Sequence, residues 1–200
     1  YLLGPLAAIT LVSHLDDRIS LSPVVRLLVQ LPAAAWFVYG LGPITAVSLP
    51  GWHVDLAPWA GGALAVVCLV WGTNLYNFMD GMDGFAGGMA AIGFGTLAAL
   101  AWASGDASGA LVAAVAGAGA GGFLLWNFPP ARVFMGDVGS LLLGFLAAAL
   151  ILRAHDRGDV PLWQGLLIFA PFVVDATWTL VRRAMRGDRV WLCLLYTSDA

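Results

Sequence analysis

The chain of 200 residues contains no lysine and no glutamate: its nine basic residues are all arginine and its twelve acidic residues all aspartate. The side chains that usually solubilise a surface helix are therefore missing. Charged residues make up only 10% of the sequence, against roughly 25% in a soluble domain. The net charge of −3 excludes the basic face that a nucleic-acid partner needs. Cysteine is nearly absent too. Cys68 lies in an apolar run and Cys193 near the end, so no pairing or metal-ligand spacing arises and neither a redox nor a zinc role follows. No basic leader precedes the first apolar run, which Tyr1 enters midway. The opening is unlike a signal peptide, and the chain reads as a fragment.

What is abundant is apolar. Hydrophobic residues make up 60% of the chain and the mean hydropathy is +0.87, which predicts an all-α, polytopic integral membrane bundle lodged in a lipid bilayer. A bilayer core of about 30 Å needs roughly 20 apolar helical residues, because the backbone must satisfy its own hydrogen bonds there. Seven stretches meet or approach that length: 1–15, 24–42, 58–76, 85–104, 109–126, 138–152 and 162–181. The sixth is the shortest complete span and needs Arg153 to snorkel to the interface. Residues 1–190 form a single membrane-embedded domain on this reading. Residues 191–200 (WLCLLYTSDA) break from the pattern before them. The glycines at 117, 119, 121 and 122 predict close approach of the fifth helix to its neighbours. The two halves share no matched motif, so an inverted-repeat transporter finds no support.

Seven spans distribute the arginines unevenly. Arg18, Arg26, Arg132, Arg182, Arg183, Arg186 and Arg189 fall on one face, Arg153 and Arg157 on the other. The positive-inside rule assigns the first face to the cytoplasm. The same parity brings Asp16, Asp17, Asp80, Asp83 and Asp137 to that face, from three separate loops.

Each loop carries a polar constellation. In SHLDDRISLSPVVRLLVQ (13–30), two adjacent aspartates at a helix end can face a cation and a polar neighbour respectively. Ser22-Pro23 then starts a helix that puts Arg26 and Gln30 on one face. A solvated loop with a local ion pair is an equal alternative. In NLYNFMDGMDGFAGG (74–88), Asn74, Asn77, Asp80 and Asp83 recur every third residue and align along one side of a helical path. Gly81 and Gly84 end that path and let backbone approach a ligand; an ordinary interfacial turn is the competing explanation. In WNFPPARVFMGDVGS (126–140), Pro129-Pro130 ends a helix, Arg132 offers a fixed positive charge, and Asp137 stands at the start of the next helix. Free N–H groups there favour phosphate, and an aspartate beside them can hold Mg²⁺. A plain helix cap by Asp137 or Ser140 is compatible with that role. His14 and His155 read as incidental and His53 falls in a loop on the opposite face. Asp175, inside the last span, either pairs with Arg182 or Arg183 or lines the site. Oxygen ligands without cysteine or paired histidine select a hard cation, Mg²⁺ or Mn²⁺, and such a cation beside arginines suits a diphosphate.

In order and approximate spacing, LDDR with LSPVVRLLVQ, NLYNFMDGMDGFAGG and FPPARVFMGDVGSLLLGF resemble the cytoplasmic loops of the polyprenyl-phosphate N-acetylhexosamine-1-phosphate transferases. That group includes the lipid I synthase and the enzymes that initiate O-antigen, common-antigen and teichoic acid synthesis. The resemblance implies transfer of a sugar-1-phosphate from a UDP-sugar to undecaprenyl phosphate with Mg²⁺, at the cytoplasmic side of a bacterial inner membrane. A homodimer is compatible with it. By motif position Asp137 matches the Mg²⁺ ligand, with Asp83 as a second, and Asp16 and Asp17 match the acidic pair that activates or orients the lipid phosphate. Asn77, Asp80 and Asp83 match the nucleotide side. Phe134 matches an aromatic that stacks on uracil, with Arg132 and Arg26 as cationic substrate contacts. DDR with LSP resembles the O-antigen and common-antigen branch more than the lipid I enzymes; an ion-coupled transporter is the alternative from another class. The family usually has about ten spans and a histidine-containing loop after the arginine-rich segment. The stretch RRAMRGDRVW lacks that loop, so the authentic sequence is expected to end near Trp191.

Overall fold

The computed structural model describes residues 1–187; Arg189 and the 191–200 tail lie outside the described residues. The described residues form eight helices and one hairpin: α1 (Leu3–Ile19), α2 (Pro23–Leu41), β1 (Ala46–Leu49), β2 (Trp52–Asp55), α3 (Pro58–Met79), α4 (Phe85–Ala103), α5 (Ala107–Asn127), α6 (Gly136–Asp156), α7 (Leu162–Ile168) and α8 (Ala170–Met185). The boundaries follow local chemistry. Ser20 ends α1 with a left-handed φ of 48°, its N–H donating to the Asp16 carbonyl. Proline opens both α2 and α3 at the first turn, where its missing N–H is not needed. Gly84, at φ 74°, turns the chain into α4, a conformation open to glycine at no steric penalty. Asp106 caps α5 by accepting from the Gly109 amide.

Five helices, α2 to α6, are each long and apolar enough to cross a membrane. This departs from the seven expected spans in three places. The first stretch becomes a helix of 17 residues. The last is broken: α7 and α8 meet at 87°, so they make at most one bent span. The sixth, expected to be short, is a 21-residue helix and the most buried of the five, because its small residues lie against α3. A Cβ on Gly144 would come 2.8 Å from the Gly72 carbonyl oxygen and 2.9 Å from the Thr73 Cα. The loop at 43–57, read as turn-rich, holds an antiparallel hairpin pairing Ala46 with Asp55 and Leu49 with Trp52.

α5 is the least buried span. Of its four glycines only Gly117 makes the close approach expected, lying against Gly95 and Phe94 of α4, while Gly119, Gly121 and Gly122 face open space. Fully buried Phe37, Phe94, Phe145 and Phe172 fill the bundle interior. Exposed Val67, Ile92, Val115 and Leu125 form the outer surface, as expected where the solvent is hydrocarbon. Trp59 and Trp102 stand exposed toward the hairpin end of the bundle and Trp126 toward the other, positions suited to the two interfaces.

The alternation of helices sorts the loops into two ends, and side-chain contacts verify the sorting. At one end the segments after α1, α3 and α5 touch one another. At the other, the Ala46 carbonyl of the hairpin accepts from His155 Nε2 at 2.8 Å, and Arg153 reaches Asp106. His53 stays within the hairpin, bonded to Ser48 and Asp55.

Candidate active site

The first and third acidic loops converge on Arg26. Its Nη1 lies 2.8 Å from Asp16 and 3.0 Å from Asp137, joining residues 111 positions apart in sequence. Arg26 and Asp16 are buried, whereas the Asp137 side chain keeps 23% of its surface exposed. The other oxygen of Asp16 accepts from the Leu21 amide. Asp17 turns the opposite way. Its carboxylate accepts from the amides of Asp137 (3.0 Å) and Val138 (3.4 Å), capping α6 from a different helix. The two adjacent aspartates thus divide as a helix end allows: one meets a cation, the other a helix N-terminus. His14, by contrast, is exposed.

The second loop is fixed from below. Ser140 donates to Asn77 Oδ1 at 2.5 Å, which ties α3 to α6 one turn beyond Asp137. Deeper still, Gln30 and Asn74 exchange hydrogen bonds between α2 and α3. Asp80 follows directly, half-buried, and its carboxyl is pushed up to about 6, first by burial and then by the negative charge of Asp137. The charge of Asp137 is thus felt at Asp80, at the same end of the bundle. Asp83, expected beside Asp137, is exposed and accepts from the Ala131 amide at 2.9 Å. It holds the second loop to the third.

The residue missed in sequence is Asn127. It is buried, accepts from the Gly84 amide and donates to the Val133 carbonyl, both at 2.9 Å. One side chain thereby bridges the Asp80–Gly84 turn and the loop that carries Arg132 and Phe134. Its signal was present: an asparagine ending an apolar helix just before two prolines has its donors and acceptor aimed at the adjoining turns. Arg132 and Phe134 themselves are exposed, Phe134 to 75%, and so are free to meet a ligand. Asp175 is exposed on α8, beyond the break.

Among the described residues, no three His, Cys, Asp or Glu side chains converge to hold a metal. The donor set still fits a hard cation. Asp80 and Asp137 are carboxylates within electrostatic reach of each other, and a divalent ion that takes its remaining ligands from phosphate and water would relieve their repulsion. The α6 amides expected to be free for phosphate instead donate to Asp17, so a cation held by the carboxylates, and not the helix N-terminus, would be what meets a diphosphate here.

Comparison with known proteins decides the family. The model for "Glycosyl transferase family 4" matches residues 1–155. The chain belongs to glycosyl transferase family 4. A phospho-N-acetylmuramoyl-pentapeptide-transferase of Geobacillus thermodenitrificans (strain NG80-2) is 46% identical over 78% of this chain and 48% of its own length. One of the same name from Heliobacterium modesticaldum (strain ATCC 51547 / Ice1) is 41% identical over 83% of this chain and 51% of its own. A "probable undecaprenyl-phosphate N-acetylglucosaminyl 1-phosphate transferase" of Bacillus subtilis (strain 168) is 33% identical over 88% of this chain and 50% of its own. This family 4 chain thus spans about half the length of the curated relatives it matches.

Proposed function

We propose that this family 4 protein transfers an N-acetylhexosamine 1-phosphate from a UDP-sugar to undecaprenyl phosphate at the cytoplasmic face of a bacterial inner membrane. The observation that carries the reading is the convergence of Asp16, Arg26, Asp80 and Asp137 at one end of a membrane bundle. A phosphate oxygen of the lipid attacks the β-phosphorus of the donor, forming one P–O bond. The bond from that phosphorus to the bridging oxygen breaks, and UMP leaves with the electron pair. One diphosphate is lost and one is made, so no further energy source is required.

Mg²⁺, when bound, neutralises charge on the diphosphate; Asp137 and Asp80 would hold it. Arg26 orients Asp137 through their contact, and Asp17 holds the first turn of α6 by its amides. A lipid phosphate already presents nucleophilic oxygens at neutral pH, so Asp16 and Asp17 position more than they deprotonate. Asn77, Asp83, Arg132 and Phe134 form the nucleotide side, with the exposed Phe134 ring available to stack on uracil.

The sequence resemblance leaned to the O-antigen and common-antigen branch. The 46% identity to a pentapeptide transferase favours the lipid I reaction as a second reading. Release of UMP from UDP-N-acetylglucosamine and from UDP-MurNAc-pentapeptide, each with undecaprenyl phosphate and Mg²⁺, separates the two. Asp137→Asn is expected to abolish release. Turnover without the lipid, or an Asp137→Asn variant as active as the parent, overturns the assignment.

A further inference from the structure

At the opposite end of the bundle lies a second buried ion pair that the reaction does not touch. Arg153, in the last turn of α6, donates to both oxygens of Asp106, from Nε and Nη2 at 2.8 Å each. The same guanidinium reaches Ser108 Oγ at 2.8 Å and the Tyr1 hydroxyl at 3.1 Å. Asp106 is the N-cap of α5, accepting from the Gly109 amide and the Ser108 hydroxyl. Only 7% of its side chain is exposed. Arg153 holds its carboxyl well below the usual carboxylate range, and Arg157 stands 3.8 Å away while pairing with Asp159. Its neighbour Gly109 admits no side chain, since a Cβ there would lie 2.3 Å from Asp106 Oδ2. The last turn of α6 is thus bolted to the first turn of α5.

Those two helices carry the two halves of the third acidic loop. α5 ends at Asn127, which bridges Gly84 and Val133. α6 begins at Gly136, with Asp137 in its first turn. Between these ends, α6 meets α3 through the close glycine seam at Gly72 and Gly144 and the Ser140–Asn77 hydrogen bond, whereas the Arg153–Asp106 pair ties it to α5. No proline interrupts α6, so it transmits an axial shift as a rod. Arg153 lies sixteen residues after Asp137, about 24 Å along the helix.

We propose that Arg153 and Asp106 are a positioning pair that sets the register of α6 against α5, and through it the place of Asp137 relative to Asn127 and Arg26. The last clause rests on the reaction proposed above; the register itself does not. Binding and chemistry then respond differently. Donor recognition by the exposed loop residues survives a small shift, while a displaced Asp137 lowers turnover, since misplacement of about 1 Å can cost about 100-fold.

The test uses Asp106→Asn, Arg153→Gln, Arg153→Lys and the Asp106→Asn/Arg153→Gln double variant in lipid nanodiscs, read by hydrogen–deuterium exchange and by steady-state kinetics. Positioning predicts exchange at the Asp137 and Val138 amides about tenfold faster in Asp106→Asn, at the far end of α6 from the change. It also predicts kcat lowered about tenfold or more with the donor KM unchanged, a double variant no worse than either single one, and partial recovery in Arg153→Lys. If Asp106→Asn does not fold, Arg153→Lys, which keeps the charge, carries the same readouts. Faster exchange confined to residues 104–109 and 150–159, with kcat unchanged, overturns the proposal. Faster exchange at Asp137 in a protein whose parent releases no UMP supports the register role and defeats the reaction instead.

Discussion

Substituting Arg26 by methionine tests the centre of the site most directly. The guanidinium is buried between Asp16 and Asp137, with only 7% of its side chain exposed. Methionine fills much of the same volume but leaves the Asp16 carboxylate, itself 6% exposed, without its cation and with the Leu21 amide still donating to it. Removing one member of a buried pair costs about 3–5 kcal/mol, because the other charge stays desolvated and uncompensated. At about 2–4 °C per kcal/mol for a chain of this size, the melting temperature should fall by about 6–20 °C. Converting Asp16 to leucine in the same protein removes the orphaned charge, so most of that stability should return. Activity should not, because Asp137 still lacks its cation. Thermal unfolding in detergent, paired with UMP release, reads both quantities. A melting temperature within about 2 °C of the parent for Arg26→Met, or a double variant with parental turnover, would refute the reasoning.

Asp80 supplies a pH test with a definite sign. Its folded pKa of about 6 lies above the unfolded value, near 3.9, so ionisation destabilises the folded protein progressively from about pH 4 to 6 and fully above. Asp80→Asn should therefore match the parent's melting temperature at pH 4 and exceed it at pH 7.5 in the absence of divalent ions; a difference independent of pH counts against a carboxyl raised by burial and by the charge of Asp137. Asn127→Ala removes both bridges between the second and third loops and should lose about 1–3 kcal/mol, with turnover falling more than unfolding accounts for, as kinetics and denaturation together will reveal. Gly144→Ala places a Cβ within 3 Å of the α3 backbone and should destabilise by about 1–3 kcal/mol, whereas Gly121→Ala, with open space before it, should leave the melting temperature unchanged.

Much of this molecule was determined by sequence alone. Apolar runs of bilayer length, interrupted where Asp, Asn, Gly and Pro cluster, dictate helices and loops because lipid cannot solvate an open backbone. Counting those runs brings Asp16, Asp17, Asp80, Asp83 and Asp137 to one end whatever the packing, since parity needs no contact. The adjacent aspartates, placed at a helix end, could face different partners or lie in a solvated loop. What composition could not supply was which partner each took. That Arg26 joins Asp16 to Asp137, that Asp17 caps α6, that Asp83 turns to Ala131 and Asn127 spans two loops, are choices made among groups up to 120 residues apart. The break between α7 and α8 was equally hidden, because hydropathy averages over a bend. Local chemistry fixes where a chain must turn and which groups it must satisfy. Only the packed bundle, through its glycine seam and its two ion pairs, decides which distant group does the satisfying.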